Sequence, residues 1–282
     1  MTNILKSAAQ WLTPVLGRHW PDFWLTAILP YWFRSGPRRL PSRQRDYLAT
    51  VTRKTTQYRQ RKIRYFITGK GPVILLIHGW SGRASQFWRL ADALSNAGFT
   101  VVGYDAAGHG DSDGNQTDLL EYTELITHFA TLFGPLYGAV AHSFGVLCLT
   151  TALCEGLACQ RVVLAAGCPD YRRLADRFAR QWRMPERLKH AFLARLEQRF
   201  GTDVWRRYDI FANATRLAHI KAVIIHDRRD PLVPFDVAQR LHQAWPHSRL
   251  SPVSGCGHNR LLESEVFIRE TIEHFTASGI PG

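Results

Sequence analysis

Three residues of this chain have the types and settings that acyl transfer needs. Ser143 lies in AHSFG, between the apolar runs LYGAV and VLCLTTAL; Asp230 lies in HDRRDPLVP and His258 in GCGHNRLL. A serine hydroxyl is a poor nucleophile until a base within hydrogen-bond reach takes its proton. A histidine can be that base, and a carboxylate on its other ring nitrogen fixes the tautomer and steadies the imidazolium. Each residue also has a plainer role. Ser143 could cap the helix FGVLCLTTAL, Asp230 could be a turn residue ahead of Pro231, and Asp227 is its rival as the acid. His242 and His247 are weaker candidates for the base because they fall in or after a helix rather than after a strand. No set of convergent ligands at metal spacing stands out.

The elements that would position these residues are legible from about Arg61. Strand-like runs at Lys62–Ile67, Val73–Ile77, Thr100–Tyr104, Leu136–Ala141, Arg161–Ala166, Val223–His226 and Arg249–Val253 alternate with helical runs at Gln86–Asn96, Asp118–Leu132, Phe144–Cys154, Phe235–Trp245 and Leu261–Phe275. The strands are continuously apolar rather than alternating, which predicts a parallel sheet covered on both faces. In such a sheet function collects in the loops after the carboxyl ends of the strands. The serine, the acid and the histidine all fall there. So do His78-Gly79-Trp80, Asp105, His109 and His142.

AHSFG resembles the nucleophile elbow of the α/β-hydrolase fold family. HGW, DAAGHGDS, HDRRDPLVP and GCGHNRLL resemble that family's oxyanion loop, structural turn, acid loop and histidine loop, in the chain order Ser, Asp, His that the fold imposes. The resemblance covers roughly residues 61 to 276. It implies an α/β fold with a mostly parallel central sheet flanked by helices, and a serine hydrolase, most simply a carboxylesterase, that needs no cofactor. It implies Ser143 as nucleophile, His258 as general base and Asp230 rather than Asp227 as orienting acid. The oxyanion donors become the backbone N–H groups of Trp80 and Phe144, with His78 and His142 lining the site. Asp105 and His109 would brace their own turn. One departure is Ala141, where the elbow usually has glycine; alanine is the least intrusive replacement.

More than fifty residues between Ala166 and Val223 carry helix-like runs such as RRLADRFARQW and ERLKHAFLARLEQRF and no strand signal. That is too long for a simple connection, so it reads as a helical insertion, sited where the family carries its cap. The expected organisation is an amino-terminal helical and basic extension over 1–60, a core over 61–168 and 218–282, and a cap over 169–217. Tyr171, Phe178, Trp182, Phe192 and Trp205 offer apolar walls for a substrate pocket.

The first 33 residues hold four of the nine tryptophans, interrupted by Pro14, Pro21 and Pro30, and no apolar stretch long enough to span a bilayer. They read as two short amphipathic helices. Two placements stay open: on an anionic membrane surface, touched peripherally through residues 1–40, or packed on the main domain or a partner. The net charge of +13 is concentrated. Arg34 to Arg64 carries eleven Lys/Arg and one acid, and Asp170 to Ile220 twelve Lys/Arg and six acids. Such patches attract phosphates without specifying a partner, and no nucleic-acid module accompanies them, so a specific nucleic-acid partner is not expected. Five cysteines without a CxxC pair point to reduced thiols in a cytoplasmic protein. The expected substrate is a small-molecule ester or thioester. A reading from another class is a catalytically idle hydrolase fold that binds a small molecule or a membrane. The sequence does not set the oligomeric state.

Overall fold

The computed structural model describes residues 3–36 and 39–277. Arg38 of the basic belt, and the first two residues of the amino-terminal segment, lie outside the described residues. Along the chain, helices α1 (Asn3–His19), α2 (Pro21–Phe33) and α3 (Ser42–Thr50) precede strands β1 (Thr52–Tyr58), β2 (Arg61–Thr68) and β3 (Val73–Ile77). Then follow α4 (Trp88–Asn96), β4 (Thr100–Tyr104), α5 (Leu119–Phe133), β5 (Gly138–His142), α6 (Phe144–Cys154) and β6 (Arg161–Ala165). Helices α7 (Tyr171–Gln181), α8 (Glu186–Phe200), α9 (Val204–Arg207) and α10 (Ile210–Ala214) lead to β7 (Lys221–Asp227). The chain closes with α11 (Phe235–Ala244), β8 (Ser248–Val253), α12 (Gly257–Arg260) and α13 (Glu265–Thr276).

Two compact units result, one from residues 35–169 and 210–282 and a smaller one from residues 1–34 and 170–209. The larger unit is built on one eight-stranded sheet of order β1-β2-β4-β3-β5-β6-β7-β8. From β4 to β8 neighbouring strands are parallel, while β2 runs antiparallel to β4 and to β1. The continuous apolar runs behave as expected: β5 and β6 are buried at every position. β1 departs from the expected basic belt. Its sequence TRKTTQY has no apolar alternation, because it is an edge strand whose side chains are mostly exposed, and charged side chains are how edges resist unwanted pairing. Before it, α3 buries Gln44, Tyr47 and Leu48 against the larger unit.

At the centre, α6 is buried on all sides from Phe144 to Leu153, which its uniformly apolar sequence permits. The final helix begins later than its apolar spacing suggests. Leu261–Glu263 forms a 3-10 turn and Ser264 then caps α13 by accepting from the Phe267 N–H at 3.2 Å.

In the smaller unit the aromatic residues meet one another. The Trp32 ring lies 5.4 Å from Tyr171, 5.1 Å from Phe178 and 5.5 Å from Phe192, and its Nε1 donates to Tyr171 Oη at 2.8 Å. Trp182 is wholly buried beside Tyr31. The rings expected as substrate walls therefore form a core with the amino-terminal helices. A Cβ on Gly17 would fall 2.5 Å from Leu188 Cδ2, so α1 and α8 touch closely there. Asp170 and Asp209 bridge where the inserted helices leave and rejoin the chain.

Candidate active site

The site assembles at the carboxyl ends of β3, β5 and β7 and in the loop after β8. Its centre is the turn from β5 into α6. Ser143 has φ 53° and ψ −116° there, a backbone conformation that costs a non-glycine residue about 1–3 kcal/mol. The strain lifts the side chain out of the strand and aims it away from the helix. Ser143 makes no side-chain cap bond to α6, so the plain capping role does not hold. Ala141 is wholly buried in β5, and its Cβ fits without a kink.

His258 Nε2 lies 2.9 Å from Ser143 Oγ, and its Nδ1 lies 2.7 Å from Asp230 Oδ2. With Nδ1–H donating to the carboxylate, Nε2 keeps the lone pair that can accept the serine proton. The other carboxylate oxygen of Asp230 accepts the N–H groups of Leu232 and Val233 at 2.8 and 3.0 Å. Burial raises the Asp230 pKa, but the His258 bond, those two N–H groups and the His258 charge outweigh it and hold the carboxyl below its ordinary value. Asp230 is thus an anion fixed in orientation.

Asp227, the rival acid, does different work. It accepts N–H groups from Arg229, Cys256 and Gly257 at 2.7, 2.5 and 2.8 Å. It ties the acid loop to the histidine loop.

The oxyanion loop after β3 approaches the elbow closely. A Cβ on Gly79 would lie 2.9 Å from Ser143 Cβ, and one on Gly145 would lie 2.6 Å from the His78 carbonyl oxygen. The Phe144 N–H occupies the first position of α6, where a helix supplies no internal acceptor. Trp80 follows Gly79 in the loop, and its ring meets the Phe144 ring edge-on at 5.1 Å.

His78 is wholly buried. Its Nδ1 donates to the Gly79 carbonyl at 2.7 Å and its Nε2 accepts from the Ala106 N–H at 3.0 Å. Tyr122 Oη donates to the His78 carbonyl at 2.5 Å. Burial lowers the His78 pKa to about 4, helped by the Arg83 charge and opposed by the Gly79 bond. His142 is buried too and donates Nε2–H to the His258 carbonyl at 3.0 Å; its Nδ1 has no hydrogen-bond partner among the described residues. Burial first, then the His258 charge, lower the His142 pKa to about 3. Both rings are neutral and hold loops in place.

Asp105 and His109 brace their turn: Asp105 accepts from the N–H groups of Ala84 and Asp111, and His109 Nε2 accepts from the Ser81 N–H at 3.0 Å. Two supporting residues were not among the expected site residues. Tyr122 gave no signal beyond its helical position, whereas His226, at the end of β7, was visible as a strand-end histidine. His226 lies 3.5 Å from Asp230 Oδ2 and donates to the Val233 carbonyl at 2.9 Å. Among the described residues no group of three or more His, Cys, Asp or Glu could hold a metal ion, and all five cysteines are free thiols.

The relay and the elbow match a known constellation, and the alpha/beta hydrolase family matches residues 74–270. The chain belongs to the alpha/beta hydrolase family. It is 39% identical over 79 residues to the uncharacterized hydrolase YraK of Bacillus subtilis (strain 168), a match that spans 28% of each chain. It is 25% identical to the pimeloyl-[acyl-carrier protein] methyl ester esterase of Nitrosomonas europaea over 69% of this chain and 92% of that one. Among solved structures, it shares the fold of a bacterial membrane phospholipase A, with TM-score 0.61 at 17% identity, over 97% of this chain and 94% of that one. As an α/β-hydrolase, it has the fold on which a buried acid, a histidine and an elbow serine can run acyl transfer.

Proposed function

We propose that this α/β-hydrolase cleaves a carboxylic ester or thioester through an acyl-enzyme on Ser143. The observation that carries the reading is the unbroken relay from Ser143 Oγ through His258 to Asp230, with links of 2.9 and 2.7 Å. Ser143 Oγ attacks the carbonyl carbon while its proton passes to His258 Nε2. The tetrahedral oxyanion is held by the N–H groups of Phe144 and Trp80, each such donor lowering the barrier by about 3 kcal/mol. Collapse breaks the bond to the alcohol or thiol, which leaves with the proton from His258. Water, activated by the same ring, then releases the acid. Asp230 stays ionised throughout and steadies the imidazolium.

The test is hydrolysis of p-nitrophenyl esters of increasing acyl length by the wild type and Ser143→Ala at matched concentration. Turnover should disappear in the variant, and the preferred length gauges the acyl pocket. Turnover that survives the substitution would remove Ser143 from the role.

We infer further that the protein touches a membrane peripherally through residues 1–40. Among the described residues no helix is long and apolar enough to cross a bilayer. What supports contact with its surface is an outward apolar face on α1 and α2.

A further inference from the structure

Seven large hydrophobic residues are exposed among the described residues, and five of them, Trp11, Leu12, Val15, Trp20 and Phe23, fall within thirteen positions that run from α1 across the Trp20 junction into α2. Phe23 is 75% exposed and Trp11 71%. Single exposed apolar residues are ordinary, but a contiguous set marks an interaction surface. The spacing makes it one. Trp11, Leu12 and Val15 share a face of α1, and Trp20 and Phe23 carry apolar surface onward where the chain bends at Trp20, which leaves the helix with φ −133° and ψ 63°. The residues between them turn inward: Thr13 and Gly17 of α1 and Leu25 and Ile28 of α2 are buried, with Gly17 against Leu188 of α8. The helices therefore use one side, with Tyr31 and Trp32, to join the smaller unit and leave Trp11, Leu12, Val15, Trp20 and Phe23 outward.

We propose that this face docks on an anionic phospholipid surface, with the helices lying in the interface plane; this rests on the peripheral contact inferred above and adds the face and the headgroup charge. Three observations select the occupant. The unit that carries the face holds fourteen Lys/Arg against seven Asp/Glu, a net of +7, so anionic headgroups are attracted. A second copy would instead bring +7 against +7. Tryptophan, apolar with one polar N–H, favours the headgroup boundary, and Trp11 and Trp20 both sit on the face. Arg183 lies over the Trp11 ring, 4.3 Å from its centroid, placing a cation beside the apolar patch as interfacial helices do.

The test is flotation of the full chain with vesicles of phosphatidylcholine alone and with about one third phosphatidylglycerol. The comparison protein is the triple variant Trp11→Gln, Val15→Gln, Phe23→Gln. Wild type should float with the anionic vesicles, at least about tenfold more than with the neutral ones or than the variant does, and added salt should weaken it. Quenching of wild-type tryptophan fluorescence by phosphatidylglycerol brominated in its acyl chains gives the same answer with no substitution. No flotation and no quenching would overturn the peripheral reading itself. Equal flotation with both vesicles would overturn the anionic selection, and flotation unchanged in the variant would overturn this face. A dimer in the wild type that the variant lacks would give the face to a second copy. Ester turnover is read separately and bears on none of these outcomes.

Discussion

Ser143, His258 and Asp230 form the relay, but the residues around them decide whether it stays aligned. His142 links the elbow to the histidine loop through the His258 carbonyl, and burial keeps its ring neutral although that bond favours the charged form. Its pKa is lowered by burial from about 6.5 to about 3. Between these values the unfolded chain binds a proton that the folded one excludes. Its contribution to stability is therefore complete above about pH 6.5 and falls as pH drops toward 3. His78, lowered to about 4, acts in the same direction. Thermal unfolding across this range should show the wild-type midpoint falling as pH is lowered, and His142→Gln falling less steeply. Parallel curves would mean that His142 is not held neutral. At this scale the sequence was informative about the relay and about some of its supports, since His78, His142, Asp105 and His109 also stood in strand-end loops, whereas Tyr122 inside a helix gave no sign. Ser143, Asp230 and His258 stood at strand ends, whereas the split of work between Asp230 and Asp227 depends on which backbone N–H groups each carboxylate meets.

Among the elements, the β5–α6 turn concentrates the strain, and β3 must come close to it. Gly145 allows this. A Cβ there would sit 2.6 Å from the His78 carbonyl oxygen and 2.8 Å from that of Ile77, both backbone atoms that cannot swing aside. Gly145→Ala is expected to lower stability by about 1–3 kcal/mol and to reduce ester turnover with it, measured by denaturant unfolding and kcat. An unchanged midpoint and kcat would show that the elbow has slack. The central strands were readable because runs such as VILLI and GAVAH are apolar without interruption. β1 was not, since TRKTTQY pairs with β2 through its backbone while its side chains face water. The α12 turn was hidden as well, because its position follows from the Asp227 bonds rather than from any apolar period.

Across the whole molecule, charge and aromatic surface follow different rules. The basic belt is partly neutralised within the larger unit: Arg53, Arg59 and Arg61 pair with Asp111, Glu124 and Glu121 at 2.6, 2.6 and 3.1 Å. The first two pairs are exposed and contribute about 0–1 kcal/mol each, whereas the Glu121 carboxylate of the third is buried. The belt is chiefly a solvated surface. Of the amino-terminal tryptophans, Trp32 turns into the smaller unit and Trp11 turns to solvent, a distinction that composition could not make because it depends on where α7 and α8 lie. The central claim, that this α/β-hydrolase is a working serine enzyme, is tested most directly by a fluorophosphonate probe followed by mass mapping of the labelled peptide. One adduct is expected, on Ser143, absent from Ser143→Ala and formed far more slowly in His258→Gln. A wild type that stays unlabelled, or carries the probe on another residue while Ser143 is free, would contradict it.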